Sequence, residues 1–286
     1  MKASIIIPSL NSPIISDVLD CLESQEEANV IAEILVVGKD RACLIGTRDK
    51  VRFIDTGERV CASRARNLGV EQARNDLILF LDSDCLPCSR WLSEHLIAQR
   101  SGQAVVGGGV APLGANYWSL AYNLSLFHEF LAILPGGERD YLPTLNMSVQ
   151  LKVIHQAGQF DEDLERGQDI EWSTRVRRKA YPLHFCPHAT VRHLHSRDSF
   201  LAMWRDCARS GYFMRQVRLS NPDMLSAPVW LRSRLAIFLL SPLVAIVVTG
   251  RIFWRNPDLI RLAWAEIPAI YLSKLAWCWG AVRSRR

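Results

Sequence analysis

Asp76-Leu-Ile-Leu-Phe-Leu-Asp-Ser-Asp84 decides how this chain is read, because five apolar residues run directly into two carboxylates one residue apart. A run of that length is too short for a helix and reads as a buried strand. On an extended backbone Asp82 and Asp84 project to one side and Ser83 to the other, so two acids converge at the strand's end. Carboxylates held together raise one another's pKa unless a cation neutralises them, and hard oxygen ligands suit magnesium or manganese. A polar strand end, with Asp82 or Asp84 capping the next helix, fits the same residues.

Upstream, the apolar run 4–7 stops at Pro8, and Asn11 or Ser12 before Pro13 is the arrangement that caps a helix and starts its first turn. Ile14, Ile15, Val18, Leu19 and Leu22 recur at helical spacing, and 33–37 supplies the next apolar run after a polar break at 24–29. This is a βαβ opening and predicts a parallel sheet. Gly38 and Asp40 follow the second strand, 51–54 is a third, and 60–73 is a helix bringing Arg64, Arg66 and Arg74 toward the central strand. Ligands of open α/β sheets bind at the carboxyl ends of the strands. Those ends are 8–11, 38–40 and 82–84, three loops that can share one crevice.

Downstream the pattern predicts a helix over 89–100 and a strand over 104–110 that includes Gly107, Gly108 and Gly109. These glycines do not make the Gly-X-Gly-X-X-Gly turn and read as a bulge or turn. An apolar, aromatic helix over 117–134 closes at Pro135-Gly136-Gly137, where a loop over the site can begin. A strand at 145–149 and a helix at 152–157 follow, then an acidic loop at 160–169 and an Arg-rich helix at 170–179 that Asp169 is placed to cap. Short strands at 183–186 and 190–194 end in His193-Leu194-His195, whose histidines would face one side of an extended chain.

The chain of 286 residues, 49% hydrophobic and 22% charged, suits one large domain with an appendage or two small domains. Eight cysteines without regular spacing, and a first apolar run too short for a signal peptide, predict a reducing compartment and an N-terminus that belongs to the fold. The net charge of +5 is mild. A basic helix over 199–220 carries Arg205, Arg209, Arg215 and Arg218. Two apolar runs come after it: 235–250, with Ser241-Pro242 inside, and 259–282, punctuated by Arg261, Glu266 and Lys274. Five of the nine tryptophans (230, 254, 264, 277, 279) fall here among arginines 232, 234, 251, 255, 283, 285 and 286. A span needs about 20 apolar residues, and mixed Trp and Arg favour the headgroup zone. The expectation is a pair of membrane-embedded or interfacial helices; an oligomer interface is the other reading.

Ser-Ile-Ile-Ile-Pro-Ser-Leu-Asn at 4–11, Ala-Ser-Arg-Ala-Arg-Asn-Leu-Gly at 62–69, Leu-Phe-Leu-Asp-Ser-Asp at 79–84, Asn-Met-Ser at 146–148, Gly-Gln-Phe-Asp-Glu at 158–162, Gly-Gln-Asp at 167–169 and His-Leu-His at 193–195 occur in that order. Together they resemble the catalytic domain of glycosyltransferase family 2, over about residues 2–200. The resemblance implies the GT-A fold, an α/β architecture with a Rossmann-like, mostly parallel sheet flanked by helices. Residues 1–220 would form the catalytic domain and 221–286 a C-terminal helical, membrane-associated region. It also implies inverting transfer of a sugar from a nucleotide-sugar donor, the diphosphate leaving on Mn2+ or Mg2+.

By the same resemblance Asp82, Asp84 and His193 hold the metal, with His195 as the alternate, and Asp169 is the general base. Pro8, Asn11, Asp40, Arg66 and Asp82 contact the nucleotide. Two positions depart from the family pattern: Gly38-Lys39 precedes Asp40 where many members have an acid directly after the strand, and Gln168 replaces the Glu before the catalytic Asp. No Gln-X-X-Arg-Trp follows, which favours addition of single sugars over processive synthesis. A glycan or lipid-linked acceptor and a place on the cytoplasmic side of the cell membrane, peripheral or through the C-terminal helices, complete the expectation.

Two rivals use the same residues. A haloacid-dehalogenase-like phosphatase also has Asp-X-Asp after an apolar strand, with the first Asp as nucleophile, but normally on the first strand. A non-catalytic zinc-binding protein would use Cys85-Leu-Pro-Cys88 with distant Cys186 and His188. The basic C-terminal surface suits lipid better than nucleic acid, because its arginines lie among aliphatic and aromatic side chains.

Overall fold

The computed structural model describes residues 1–222 and 228–285. In chain order its strands and α-helices are β1 (Ala3–Leu10), α1 (Ile15–Glu23), β2 (Ile31–Lys39), β3 (Val51–Asp55), α2 (Ala62–Gln72), β4 (Leu77–Leu81), β5 (Cys85–Pro87), α3 (Trp91–Arg100), β6 (Val105–Val110), α4 (Tyr117–Phe127), β7 (Gly137–Glu138), β8 (Asn146–Gln150), α5 (Leu151–Ala157), α6 (Gln168–Arg178), β9 (His184–His193), α7 (Phe200–Ser220), α8 (Arg234–Arg255), α9 (Asp258–Ala263) and α10 (Ile267–Arg283). They group into two compact units, Met1–Ala111 with Pro135–His193, and Pro112–Leu134 with Leu194–Arg286.

The first unit is one sheet among the described residues, ordered β3-β2-β1-β4-β8-β6-β9-β5 with β7 against β9. The βαβ opening is parallel as the sequence predicts: β1 pairs with β2 and β4, and β2 with β3, all in the same direction. Helices cover these strands, so Ile5–Ile7, Ile34–Val37 and Leu77–Leu81 are buried as continuous apolar runs rather than as alternating ones. β8 then reverses direction, antiparallel to both β4 and β6, which makes the whole sheet mixed. The two short strands expected near residues 183–194 are one strand, β9, whose ladder with β6 is bulged between Gly108 and Val110.

A polar ladder joins α3 to β8. Trp91 Nε1 donates to Asn146 Oδ1 (2.7 Å), the His95 ring bridges Asn146 Oδ1 (2.9 Å) and Ser148 Oγ (3.0 Å), and Gln99 Nε2 donates to Ser148 Oγ (3.0 Å). Four helical residues rise about 6 Å and two strand residues about 6.6 Å, so a helix stripe at every fourth residue meets a strand face at every second. Asn146 Nδ2 continues the ladder to the carbonyls of Gly109 (3.1 Å) and Ala189 (2.8 Å). A Cβ at Gly108 would collide with that amide and with the Ala189 carbonyl. Gly108 of β6 therefore makes room for Asn146, and the Asn-Met-Ser motif is scaffold.

The second unit is helical. Its elements cross the 220/221 division expected from composition, because α4 and α7 pack with α10. α7 and α10 meet backbone to backbone: a Cβ at Gly211 would overlap the Trp277 carbonyl, and one at Gly280 the Ala208 carbonyl. The second apolar run, expected at a membrane, is largely interior, with Ala269, Ile270, Ser273, Ala276, Cys278 and Ala281 of α10 buried. α8 spans 22 residues and is long and apolar enough by length and composition to cross a membrane. Residues 223–227 and Arg286 lie outside the description.

Two outcomes follow. Burial lowers the pKa of His95 from 6.5 to about 4, so the folded state keeps it neutral while the unfolded chain takes a proton below 6.5. Its contribution is complete above pH 6.5 and is lost between 6.5 and about 4, on the order of 3 kcal/mol. Urea unfolding at pH 7 and pH 4.5 will show a smaller pH dependence in His95→Gln than in the native chain. Gly280→Ala will lower the melting temperature, because the overpacked contact costs about 1–3 kcal/mol.

Candidate active site

Three strand ends are cross-braced. Asn11, with φ 54°, sends its N–H to the Lys39 carbonyl (2.8 Å) and accepts the Arg41 N–H on Oδ1 (2.9 Å). Ser12 Oγ donates to the Ser83 carbonyl (2.6 Å). The loops after β1, β2 and β4 thus form one rim, with Pro8 just inside it opposite Val37. Asp40 is turned to its own loop, where its two oxygens accept the N–H groups of Leu44 (3.1 Å) and Ile45 (2.9 Å).

The two acids after β4 do not sit on an extended backbone. The Cys85 N–H returns to the Asp82 carbonyl (3.0 Å), a turn that removes the strand alternation and gives each acid its own partner. Asp82 Oδ1 accepts from Arg66 Nη2 at 2.6 Å. Asp84 Oδ2 faces His193 Nε2 at 3.5 Å, because β5 runs antiparallel to β9 with Cys85 directly opposite His193. Ligand atoms of Asp84, Cys85 and His193 lie within 4.8 Å of one another, and among the described residues they form the group able to hold an ion. Burial, with Asp84 and Asp82 alongside, pushes the Cys85 thiol well above its ordinary range, so it remains protonated. Cys88 and Cys186 do not join this group, which removes the zinc arrangement expected of the rival. His195 lies beyond the end of β9, so it does not share a strand face with His193. Its Nδ1 accepts the Arg197 N–H (2.9 Å) and its ring packs on Tyr122.

Arg66 is 3% exposed, and its Nε and Nη1 have no protein partner among the described residues. The Phe160 ring lies 6.0 Å from its guanidinium carbon. Asp169 stands in the first turn of α6, whose cap is the left-handed Gly167 (φ 81°), so Asp169 does not cap the helix. One of its oxygens accepts the Ile170 N–H (2.9 Å). Burial raises its pKa; the Ile170 hydrogen bond and Arg66 lower it, and Asp82 raises it again. Arg66, Asp82 and Asp169 are therefore one electrostatic cluster, adjoining the Asp84–His193 pair through the 82–85 turn.

Sequence reasoning missed the clamp behind Arg66. Asn67 Nδ2 donates to the Phe160 carbonyl (2.9 Å) and to Glu162 Oε1 (2.8 Å), while Asn67 Oδ1 accepts the Phe160 N–H (2.9 Å). Phe160 packs on Phe80 and Trp172. The signal was present in the motif pair 62–69 and 158–162, whose partnership across about ninety residues is this clamp.

The sequence profile of glycosyl transferase family 2 matches residues 4–149, and the chain belongs to that family. Glycosyltransferase AglE of Haloferax volcanii is 30% identical over 195 residues, covering 64% of this chain and 63% of AglE. A pre-mycofactocin glycosyltransferase of Mycobacterium tuberculosis is 25% identical over 266 residues, covering 83% of this chain and 55% of that protein. The chain thus spans less than two thirds of the length of either relative. The mannosyltransferase PcManGT from Pyrobaculum calidifontis, in complex with GDP-Man and Mn2+, has a similar fold, with TM-score 0.61 at 15% identity over 96% of this chain and 87% of that one. GalNAc-T7 with UDP, GalNAc and Mn2+ aligns with TM-score 0.56 at 13% identity over 80% of this chain and 52% of that one. The fold is GT-A, with additional C-terminal helices. Asp-X-Asp follows the fourth strand here, not the first strand where the haloacid-dehalogenase reading normally has it, and the fold is that of the GT-A neighbours.

Asn67→Ala will strand the buried N–H and carbonyl of Phe160, at about 1–3 kcal/mol for each group. Limited proteolysis should cut the 158–167 segment faster in this variant, with a lower unfolding midpoint in urea.

Proposed function

We propose that the chain transfers a sugar from a nucleotide-sugar donor to an acceptor hydroxyl, inverting the anomeric centre and adding one sugar at a time. The observation that carries this is Arg66: its buried guanidinium has two unpartnered nitrogens, three N–H donors in all, which call for acceptors from outside the protein, since each donor left unmet costs about 1–3 kcal/mol. A donor's diphosphate supplies oxygens of the required charge. Pro8, Asn11 and Asp40 lie on the rim that would border the nucleotide.

Asp84 and His193, with Asp82 beside them, fit a divalent ion such as Mn2+ or Mg2+. Their facing atoms are 3.5 Å apart, near the spacing of about 3 Å between adjacent ligands of an octahedral ion with bonds of about 2.1 Å. When bound, such an ion supplies Lewis-acid stabilisation of the leaving diphosphate. Asp169 is the base. A sugar hydroxyl is a poor nucleophile at neutral pH, and a desolvated carboxylate with a raised pKa accepts its proton more readily than an exposed one. Gln168 adds no second charge beside it. The acceptor is a glycan or a lipid-linked molecule, and the enzyme works at the cytoplasmic side of the cell membrane. The apolar helix α8 supports that placement.

Asp169→Asn should abolish transfer while leaving nucleotide binding intact, and unchanged turnover would exclude Asp169 as base. The base form is needed, so kcat will fall on the acid side with a midpoint above 3.8, the ordinary value for Asp. The raised pKa means that ionised Asp169 costs stability at neutral pH. Asp169→Asn will therefore melt no lower than the native chain at pH 7, and any advantage will vanish as pH falls below that ordinary value. In a thermal-shift screen of nucleoside diphosphates and their sugars, one nucleotide should stabilise the chain only with Mn2+, by about 2.7 kcal/mol at a hundred times its Kd. His193→Ala should lose the metal-dependent part.

A further inference from the structure

α8 carries two unlike faces. Leu235, Leu239, Leu243 and Ile246 recur every three or four residues as an exposed stripe, each 58–67% exposed. Ile237, Ala245, Thr249, Ile252 and Phe253 on the other side are buried. α9 follows with Ile260 and Leu262 exposed, and Trp254 and Trp264 stand out at 86% and 69%. Between residues 228 and 266 five arginines (232, 234, 251, 255, 261) accompany this surface against two acids, Asp258 and Glu266.

We infer that α8 and α9 seat this unit in the plane of an anionic bilayer, apolar stripe inward, and do not cross it. This deepens the membrane placement proposed above and rests on that reading. Length alone would allow α8 to span, but its packing opposes that. Its N-terminal half packs with α10 in a cluster of Leu231, Ile237, Cys278 and Ala281, and Arg234 at its start donates to the Ser284 carbonyl. Arg255 at its other end pairs with Glu129 at 3.8 Å. α10 in turn meets α7 backbone to backbone at Gly211 and Gly280. A crossing α8 would therefore take the basic helix α7, with exposed Arg205 and Arg209 beside its contact with α10, to the bilayer with it. Lying flat, α8 sets the arginines at both its ends in a single headgroup plane, where anionic lipid attracts them. The surplus of arginine favours that occupant over a second copy of the same cationic face.

The test is flotation of the full chain on phosphatidylcholine vesicles with and without phosphatidylglycerol. It is paired with quenching by lipids brominated at shallow or deep chain positions, read as the difference between the native chain and the Trp254→Phe, Trp264→Phe double variant. The expected result is binding at least tenfold tighter with phosphatidylglycerol, quenching strongest from shallow bromines, and release by alkaline carbonate. Leu239→Gln, Leu243→Gln, Ile246→Gln should lose flotation with unchanged circular dichroism. Equal binding to both vesicles would overturn the anionic requirement, and carbonate resistance with deep quenching would establish a span. Absence of flotation, with a dimer in gel filtration that the triple variant loses, would assign the face to a second copy. None of these readouts depends on sugar transfer, so their failure and that of the transferase reading are separable.

Discussion

Three residue pairs between β5 and β9, Cys85 with His193, Leu86 with Arg192 and Pro87 with Val191, hold the site together. Side chains alternate along a strand, so a slip of one residue would turn His193 to the opposite face and separate it from Asp84. A three-residue strand cannot fix its own register, and neighbouring groups do it instead. The Cys88 N–H binds the Thr190 carbonyl (3.0 Å), and buried Gln25 grips the Cys88 carbonyl (2.9 Å) while accepting the Leu92 N–H (3.0 Å). On the other side of the turn, the Asp82 N–H reaches the Leu145 carbonyl (3.1 Å). The acids are held from both ends by bonds that none of their own side chains makes.

Buried polar side chains in the first unit divide by how fully they are partnered. His95, Asn146, Gln99 and Asn67 are tied to other protein groups and serve to lock helices and loops to the sheet. Arg66 is as deeply buried but has one bond, to Asp82, with Nε and Nη1 open. Leaving three N–H donors of a charged group without acceptors opposes folding. The burden falls where α2, the 82–85 turn and the start of α6 converge, the place at which an anionic ligand would relieve it.

Much of this was legible in the sequence where one physical signal dominated. The βαβ opening followed from apolar runs separated by a helical stripe, and Ile15, Val18, Leu19 and Leu22 are buried as that stripe requires. The turn at 82–85 was not legible, because a carboxylate pair after a strand looks the same whether the backbone stays extended or folds back on a hydrogen bond. Pro187 and the bulge disguised β9 as two strands. α10 read as membrane-facing because an apolar run with Trp and Arg beside it suits equally the packing of a helical bundle and the boundary of a bilayer. Only the partners around it separate the two.

The displaced acid at 40 has a backbone cause. Gly38 sits at φ 140° opposite Ser9, and any Cβ there would strike the Ser9 carbonyl. An aspartate directly after the valines of β2 is therefore excluded by the β1–β2 pairing itself. Moved two residues on, Asp40 spends its oxygens on the N–H groups of Leu44 and Ile45 and so builds the loop. Drawing that carboxylate toward a base would strand both N–H groups, at a cost comparable with the hydrogen bond gained. The rim at this strand thus presents mainly backbone, the Lys39 carbonyl already taken by Asn11 and the Arg41 N–H by its side chain.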